Sequence, residues 1–187
     1  LLIVLGMSVL VSAYSMITVY LGLELLSLPL YAMIAFKRDS GLCAEAAMKY
    51  FIMGAVASGI LLYGISMLYG ATQSLVISAV AEKIASASLA NNLLITFGLV
   101  FVFAGVMFKL GAVPFHMWVP DVYQGSPNAV TLFIASATKL AAFGLTVRLL
   151  IDTFHVLHPI WQHVAMVIAI LSMGIGNFVA IIQTNFK

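Results

Sequence analysis

The sequence predicts an all-α fold, a multi-span transmembrane bundle, and three observations carry that prediction. Hydrophobic residues make up 64% of the 187 positions and charged residues only 7%, with a mean hydropathy of +1.17. A water-soluble domain is excluded by that composition. The apolar residues fall into runs long enough to cross a hydrocarbon core of about 30 Å as helices, the only open-chain conformation that satisfies its own backbone inside lipid. Short polar or proline-bearing stretches, such as Lys37, Arg38 and Asp39, separate the runs.

Residues 1–36 carry one charge, Glu24, and as a single helix would measure about 54 Å. They must therefore turn, and Ser12, Tyr14 and Ser15 mark the place, leaving the remnant of a span at 1–12 and a full span at 15–36. A third run, 44–70, is rich in small residues (Gly54, Ala57, Ser58, Gly64), which let membrane helices approach closely. Residues 71–91 mix Leu75, Ile77, Val80 and Ile84 with Gln73, Glu82, Lys83, Ser86 and Asn91. That stretch is too polar to span and predicts an interfacial loop or a short amphipathic helix.

A span at 92–115 is interrupted near 109–114, where Gly111 and Pro114 weaken the helix. His116, Trp118, Pro120 and Asp121 then lead into a turn-rich stretch ending at Pro127. The simplest account of His116, Trp118 and Asp121 is an aromatic and polar anchor at the membrane surface. Spans follow at 128–150, with Lys139 in the middle, and at 160–182, with Asn177 and Gln183 near its exit. The expectation is a single transmembrane domain of five complete spans and one remnant. Leu1 lies inside an apolar run and Lys187 directly follows another, so the sequence reads as a fragment of a longer chain. No basic stretch precedes the first run, which argues against a signal peptide. Lys37, Arg38 and Lys187 fall on one side and Arg148 with Asp152 on the other; the positive-inside rule makes the first side cytoplasmic.

The single cysteine, Cys43, and the absence of a His/Cys cluster argue against metal or redox cofactor binding. A net charge of +2 without a basic run offers nothing for nucleic acid. The expected partners are the lipid bilayer and other helices.

The few charges inside the spans are the candidates for chemistry, because an ionisable group at membrane depth is costly unless it faces a bundle interior, water or a partner. Glu24 shares a helical face with Tyr20, Ser27 and Tyr31 at i−4, i+3 and i+7. Its plainer role is a structural hydrogen bond between helices. Lys109 stands five residues before Pro114, as Glu24 stands five before Pro29. A proline cannot bond the carbonyl four residues back, so carbonyls at Leu110 and Leu25 are expected to be free beside an ionisable side chain. Transporters build ion sites at such breaks, although prolines also kink membrane helices for packing alone. Lys139 lies mid-span beside Ala135, Ser136, Ala142 and Thr146, too deep to snorkel. Lys49 is weaker, since Glu45 at i−4 makes an ordinary surface pair. His116 is a candidate relay by its near-neutral titration, whereas His155, His158 and His163 near Pro159 and Trp161 read as solvated residues at a span end.

A carboxylate beside a buried lysine favours the charged amine and its withdrawal favours the neutral one. The separation of Glu24 and Lys109 then acts as a switch that passes a proton toward Lys139. Moving one charge against 100 mV takes about 2.3 kcal/mol, within the range of a buried pair.

Three stretches resemble the antiporter-like membrane subunits of respiratory NADH–quinone oxidoreductase (complex I). They are Leu21 to Pro29 (LGLELLSLP), Ala46 to Tyr50 (AAMKY) and Phe108 to Gly125 (FKLGAVPFHMWVPDVYQG), the last continuing through SPNAVTLFIASATK to Lys139. Related cation/proton antiporters share the layout, but the PDVYQG wording and Lys139 look like subunit N of the bacterial enzyme and its mitochondrial counterpart. The resemblance implies a fold of two inverted five-helix repeats, of which this chain would cover the first, short of part of its first helix, and the opening helix of the second. It places Glu24 and Lys109 as the controlling pair, Lys139 as the next station and Lys49 as a lysine of less defined role. It also implies a multi-pass protein of the bacterial inner membrane and a proton-translocating subunit, partnered by other membrane subunits. NAD, flavin, iron–sulfur clusters and quinone would be bound elsewhere in the complex, so this chain itself would hold no cofactor. Two other classes remain open, a free-standing or multi-subunit cation/proton antiporter and a structural membrane subunit with incidental buried charges.

Overall fold

A computed structural model describes residues 1–86 and 92–183. Asn91, at the end of the polar stretch, and Lys187, which bears on the charge asymmetry, lie outside the described residues. Helix α1 (Leu2–Val11) and helix α2 (Met16–Ile34) are joined by a turn at the predicted polar cluster. Ser15 caps α2, its Oγ accepting from the Thr18 amide at 3.2 Å. The two helices cross closely because Gly6 and Gly22 present no side chain: a Cβ on Gly6 would lie 2.6 Å from the Leu26 amide nitrogen.

Helix α3 (Gly41–Thr72) is the longest, capped by Ser40 and ended by Gln73 in the left-handed region at φ 51°. The polar stretch that follows contains a short helix, α4 (Ile77–Ala85), which turns Ile77, Val80 and Ile84 onto the bundle. It is tied down by Met16 N–H to Leu75 O (2.8 Å), by Ile77 N–H to Tyr14 O (3.2 Å) and by Lys83 Nζ donating to Thr72 O at the end of α3 (2.5 Å). Thus α4 closes one end of the helix layer and satisfies a carbonyl that α3 leaves open.

Helix α5 (Leu93–Leu110) is the most enclosed of the spans. It packs on α3 along a seam of glycines, Gly64 on α3 and Gly98 and Gly105 on α5. After a non-helical stretch come α6 (Trp118–Gly125), α7 (Asn128–Ala135) and α8 (Ala137–Arg148), a π-turn (Leu149–Thr153), a short 3-10 turn (His155–Leu157) and α9 (His158–Ile182). Five helical segments among the described residues are long and apolar enough to cross a membrane: α2, α3, α5, Asn128–Thr153 and His155–Ile182. The chain is an integral membrane protein. The ninth helix carries no buried residue and turns Met166, Ile170, Met173 and Phe178 outward.

Three local expectations change. Pro29 lies inside α2, which stays helical to Ile34, so the matched proline spacing does not produce a matched break. The segment around Lys139 is divided at Ser136 (φ −112°, ψ −80°), where Ser136 Oγ bonds Leu132 O (2.7 Å) and Thr138 Oγ1 bonds Ile134 O (2.8 Å). Hydroxyls that back-bond the preceding turn bend helices in this way. Trp118 is no surface anchor: it is 1% exposed, among the largest fully buried side chains.

The glycine seam makes a direct prediction. A Cβ on Gly64 would lie 2.7 Å from the Val102 amide nitrogen and 2.9 Å from Gly98 O, backbone that cannot step aside without parting α3 and α5. Gly64→Leu is expected to destabilise the protein by about 1–3 kcal/mol, read as a lower thermal unfolding midpoint in detergent. An unchanged midpoint would show that the seam is not tightly packed.

Candidate functional site

Everything at the site descends from the end of α5. Gly111 takes φ 70°, a left-handed cap that glycine adopts freely. Its N–H bonds Phe108 O (3.0 Å) and that of Ala112 bonds Met107 O (3.1 Å), after which the chain passes a cis Val113–Pro114 bond and re-enters a helix at Trp118. The other polar groups of this end are met by side chains from separate elements. Trp118 Nε1 donates to Phe108 O (3.0 Å), Lys139 Nζ to Leu110 O (2.8 Å), and the Val113 N–H reaches Ser172 Oγ on α9 (3.0 Å). The carbonyl that Pro114 frees is therefore the one that holds Lys139.

Lys109, one residue back, points the other way. It is 7% exposed, and its Nζ donates to Ser27 Oγ (2.5 Å) and Tyr50 Oη (3.3 Å). Ser27 lies midway along α2, so α5 stops level with the middle of its neighbour rather than at its end. Glu24 accepts a hydrogen bond from Ser58 of α3. Glu24 and Lys109 line one small cavity of about 30 Å³, together with Ser27, Tyr31 and Ser58, room for one or two water molecules. The two are not in direct ion-pair contact among the described residues. Of the stripe expected on α2, Ser27 and Tyr31 reach this cavity and Tyr20 does not.

Lys139 turns inward, its Nζ 5.8 Å from the ring centre of Trp118 and 5.9 Å from that of Tyr123. Beside it a larger cleft of about 260 Å³ lies between the broken segment and α9, lined among others by Gly111, His116, Tyr123, Gln124, Ser172 and Gln183. Burial pushes the Tyr123 phenol above its ordinary value, so it stays a hydroxyl at neutral pH. His116 Nδ1 is buried there without a hydrogen-bond partner among the described residues.

Lys49 stands apart from these groups. Its Nζ pairs with Glu45 (2.8 Å) and with Asp121 of α6 (2.9 Å), and its side chain is 41% exposed. Consecutive helical residues point about 100° apart, and in the AAMKY stretch it is Tyr50 that faces Lys109. The histidines near Pro159 engage locally, His158 edge-on to Trp161 (4.7 Å) and His163 against Pro159 O (2.6 Å). Sequence reasoning passed over Tyr50 and Ser172 and saw Ser58 only as a small residue. The one available signal was helical phase, which sets Ser58 one turn beyond Gly54 on the face of α3 that meets α2.

An open helix end with a buried lysine and a carboxyl on one cavity defines a class: membrane proteins with a helix interrupted inside the bundle and ionisable side chains at the break. The comparisons make it specific. The family model described as "NADH:quinone oxidoreductase/Mrp antiporter, TM" matches residues 13–187, and the chain belongs to that family. It is 57% identical over 187 residues to the NADH-quinone oxidoreductase subunit N of Coxiella burnetii, all of this chain and 39% of that protein. With the subunit N of Laribacter hongkongensis it shares 60% over 183 residues, 98% of this chain and 37% of that one. The chain thus spans about two-fifths of the length of these relatives. Among solved structures, the respiratory complex I of Thermus thermophilus contains a chain 38% identical, with a TM-score of 0.82 over 97% of this chain and 38% of that one. The Mrp complex of Dietzia sp. superimposes with a TM-score of 0.86 over 97% of this chain and 34% of that one, at 22% identity, a likeness of fold.

Ser27 is the testable support of this site. Ser27→Ala leaves the Lys109 ammonium with Tyr50 as its remaining hydrogen-bond partner, at an expected cost of about 1–3 kcal/mol for an under-satisfied buried donor. Thermal unfolding in detergent should show a lower midpoint. An unchanged midpoint would mean that the Lys109–Ser27 contact does not hold the site.

Proposed function

We propose that this chain is part of a proton-translocating membrane subunit of a bacterial NADH–quinone oxidoreductase, set in the inner membrane among the other membrane subunits of that complex. Its ionisable residues would relay protons, while NAD, flavin, iron–sulfur clusters and quinone do their chemistry in partner subunits. One observation carries this reading: Glu24 and Lys109 line a single cavity at a helix break, and Lys139 is fastened to the carbonyl next in sequence to Lys109. The relatives support the reading, since those sharing 52–60% of its residues are subunit N proteins.

In this reading Glu24 sets the charge state of Lys109. A buried ammonium is stabilised by a nearby carboxylate and loses that support when the carboxylate withdraws. Ser27 and Ser58 hold the two groups apart on separate hydroxyls, so either can be released by a side-chain rotation without unpacking a helix. The proton then moves toward Lys139. Lys49, paired to Glu45 and Asp121, takes a place at the margin of the path and joins α3 to α6.

If Glu24 and Lys109 act as a unit, their effects do not add. In the complete complex, Glu24→Gln and Lys109→Ala are each expected to reduce NADH-driven proton pumping strongly, with the double variant little worse than either. Pumping is measured in reconstituted vesicles, with NADH–quinone turnover followed in parallel to detect misassembly. Multiplicative losses at normal complex yield would sink the paired switch. Cation/proton exchange without NADH would point instead to an antiporter.

A further inference from the structure

The small cavity at Glu24 and Lys109 and the larger cleft at Gly111 and Tyr123 share no lining residue. Two large side chains stand where they would meet. Tyr50 and Trp118 are each 1% exposed, and their rings stack 4.6 Å apart at an interplanar angle of 24°. Lys109 Nζ lies 5.5 Å from the ring centre of Tyr50 and Lys139 Nζ 5.8 Å from that of Trp118. The contacts therefore run lysine, ring, ring, lysine.

Stacked rings keep water out and carry no proton through their faces. Tyr50 presents its hydroxyl to Lys109. The indole has a single polar hydrogen and no acceptor nitrogen, and that hydrogen is held by Phe108 O at 3.0 Å. The two halves of the stack sit on different helices: Tyr50 on α3, and Trp118 at the start of α6, beyond the non-helical joint at Gly111 to Met117. Parting the rings by a shift of α6 about that joint would break the Lys49–Asp121 pair and the packing of Gly125 on Ala46, while leaving α3 and α5 packed.

We propose that the Tyr50–Trp118 stack is the gate between Lys109 and Lys139, closed in this conformation and opened when Trp118 leaves Tyr50 and water fills the gap. The inference rests on the proton-path reading and names the element that regulates it. The step it controls is balanced: one proton leaves the Lys109 ammonium, passes along water and arrives on a neutral Lys139 amine, with only N–H and O–H bonds exchanged and no electron moved. Trp118 is a positioning residue, because it excludes water and never holds the proton.

The test is passive proton flux through the complete complex in vesicles, with no NADH present, driven by an imposed potassium diffusion potential and read with an internal pH dye. Trp118→Ala is expected to raise that flux about tenfold, equivalent to about 1.4 kcal/mol off the barrier, and adding Lys109→Ala or Lys139→Ala should abolish the rise. Unchanged flux overturns the gate, and so does a leak that survives loss of either lysine. Should Trp118→Ala not assemble, Trp118→Phe, which drops the bond to Phe108 O and shortens the wall, decides by the same criteria. The underlying reading is tested separately: intact NADH-driven pumping in Lys109→Ala ends the proton path, whereas lost pumping there with tight Trp118 variants ends the gate alone.

Discussion

A helix that stops inside a membrane bundle leaves carbonyls and amides that neither lipid nor bulk water can satisfy, and the rest of this structure is arranged around such an end. At Leu110 the ladder of α5 runs out. Trp118, Lys139 and Ser172 come from three different helices to meet the exposed groups at 2.8–3.0 Å. Each partner thereby fixes an element, α6 by its indole, α8 by its ammonium and α9 by a hydroxyl. For α9, which buries none of its own residues, the Ser172 contact is a specific tie to the bundle. One missing turn of helix sets the positions of three others.

The same constraint explains why the two lysines point apart. A helix terminus exposes its carbonyls along the axis and its last side chains across it, so Leu110 O meets α8 while Lys109 Nζ crosses to Ser27 on α2. Had α5 run on through Pro114, the carbonyl of residue 110 would face a ring clash and Lys139 would lose its acceptor. The break is what allows two cations to share one neighbourhood without sharing a partner.

Much of the fold was legible because hydrophobic run length and turn chemistry are local properties. The turn at Ser12 to Ser15, the amphipathic α4 and the break after Lys109 each follow from a few neighbouring residues. Phase and packing were less legible. Pro29 and Pro114 stand in the same offset from a charge, yet α2 absorbs its proline and α5 does not. The difference is Gly111, which supplies a left-handed cap between Lys109 and Pro114; no glycine lies between Glu24 and Pro29. Lys49 and Tyr50 show the same limit at the site. The charged residue drew attention as an ionisable group in an apolar run, but the helix turns it toward Glu45 and Asp121 and brings its neighbour to Lys109. Trp118 looked like a surface anchor because tryptophans near turns usually are, and only the three-dimensional approach of α6 to α3 buries it.

Fastening Lys139 to a helix end also ties its charge to the geometry of the break. The carbonyl end of a helix favours a cation by about 0.3–2 kcal/mol, depending on burial. A neutral amine still donates a hydrogen bond to Leu110 O, but it forgoes that attraction. Losing a proton at Lys139 therefore loosens the hold of α8 on the end of α5, and gaining one tightens it. The joint that this contact steadies is the one that carries α6, and with it Trp118, against Tyr50. Linkage makes the effect reciprocal: a conformation that parts Lys139 from Leu110 O favours the neutral amine by the same free energy that protonation gives to closure. An energy of that size is comparable to the gap between two conformations of which the minor is populated at a few per cent, so in the proposed relay the charge on Lys139 would bias the segment that stands between it and Lys109.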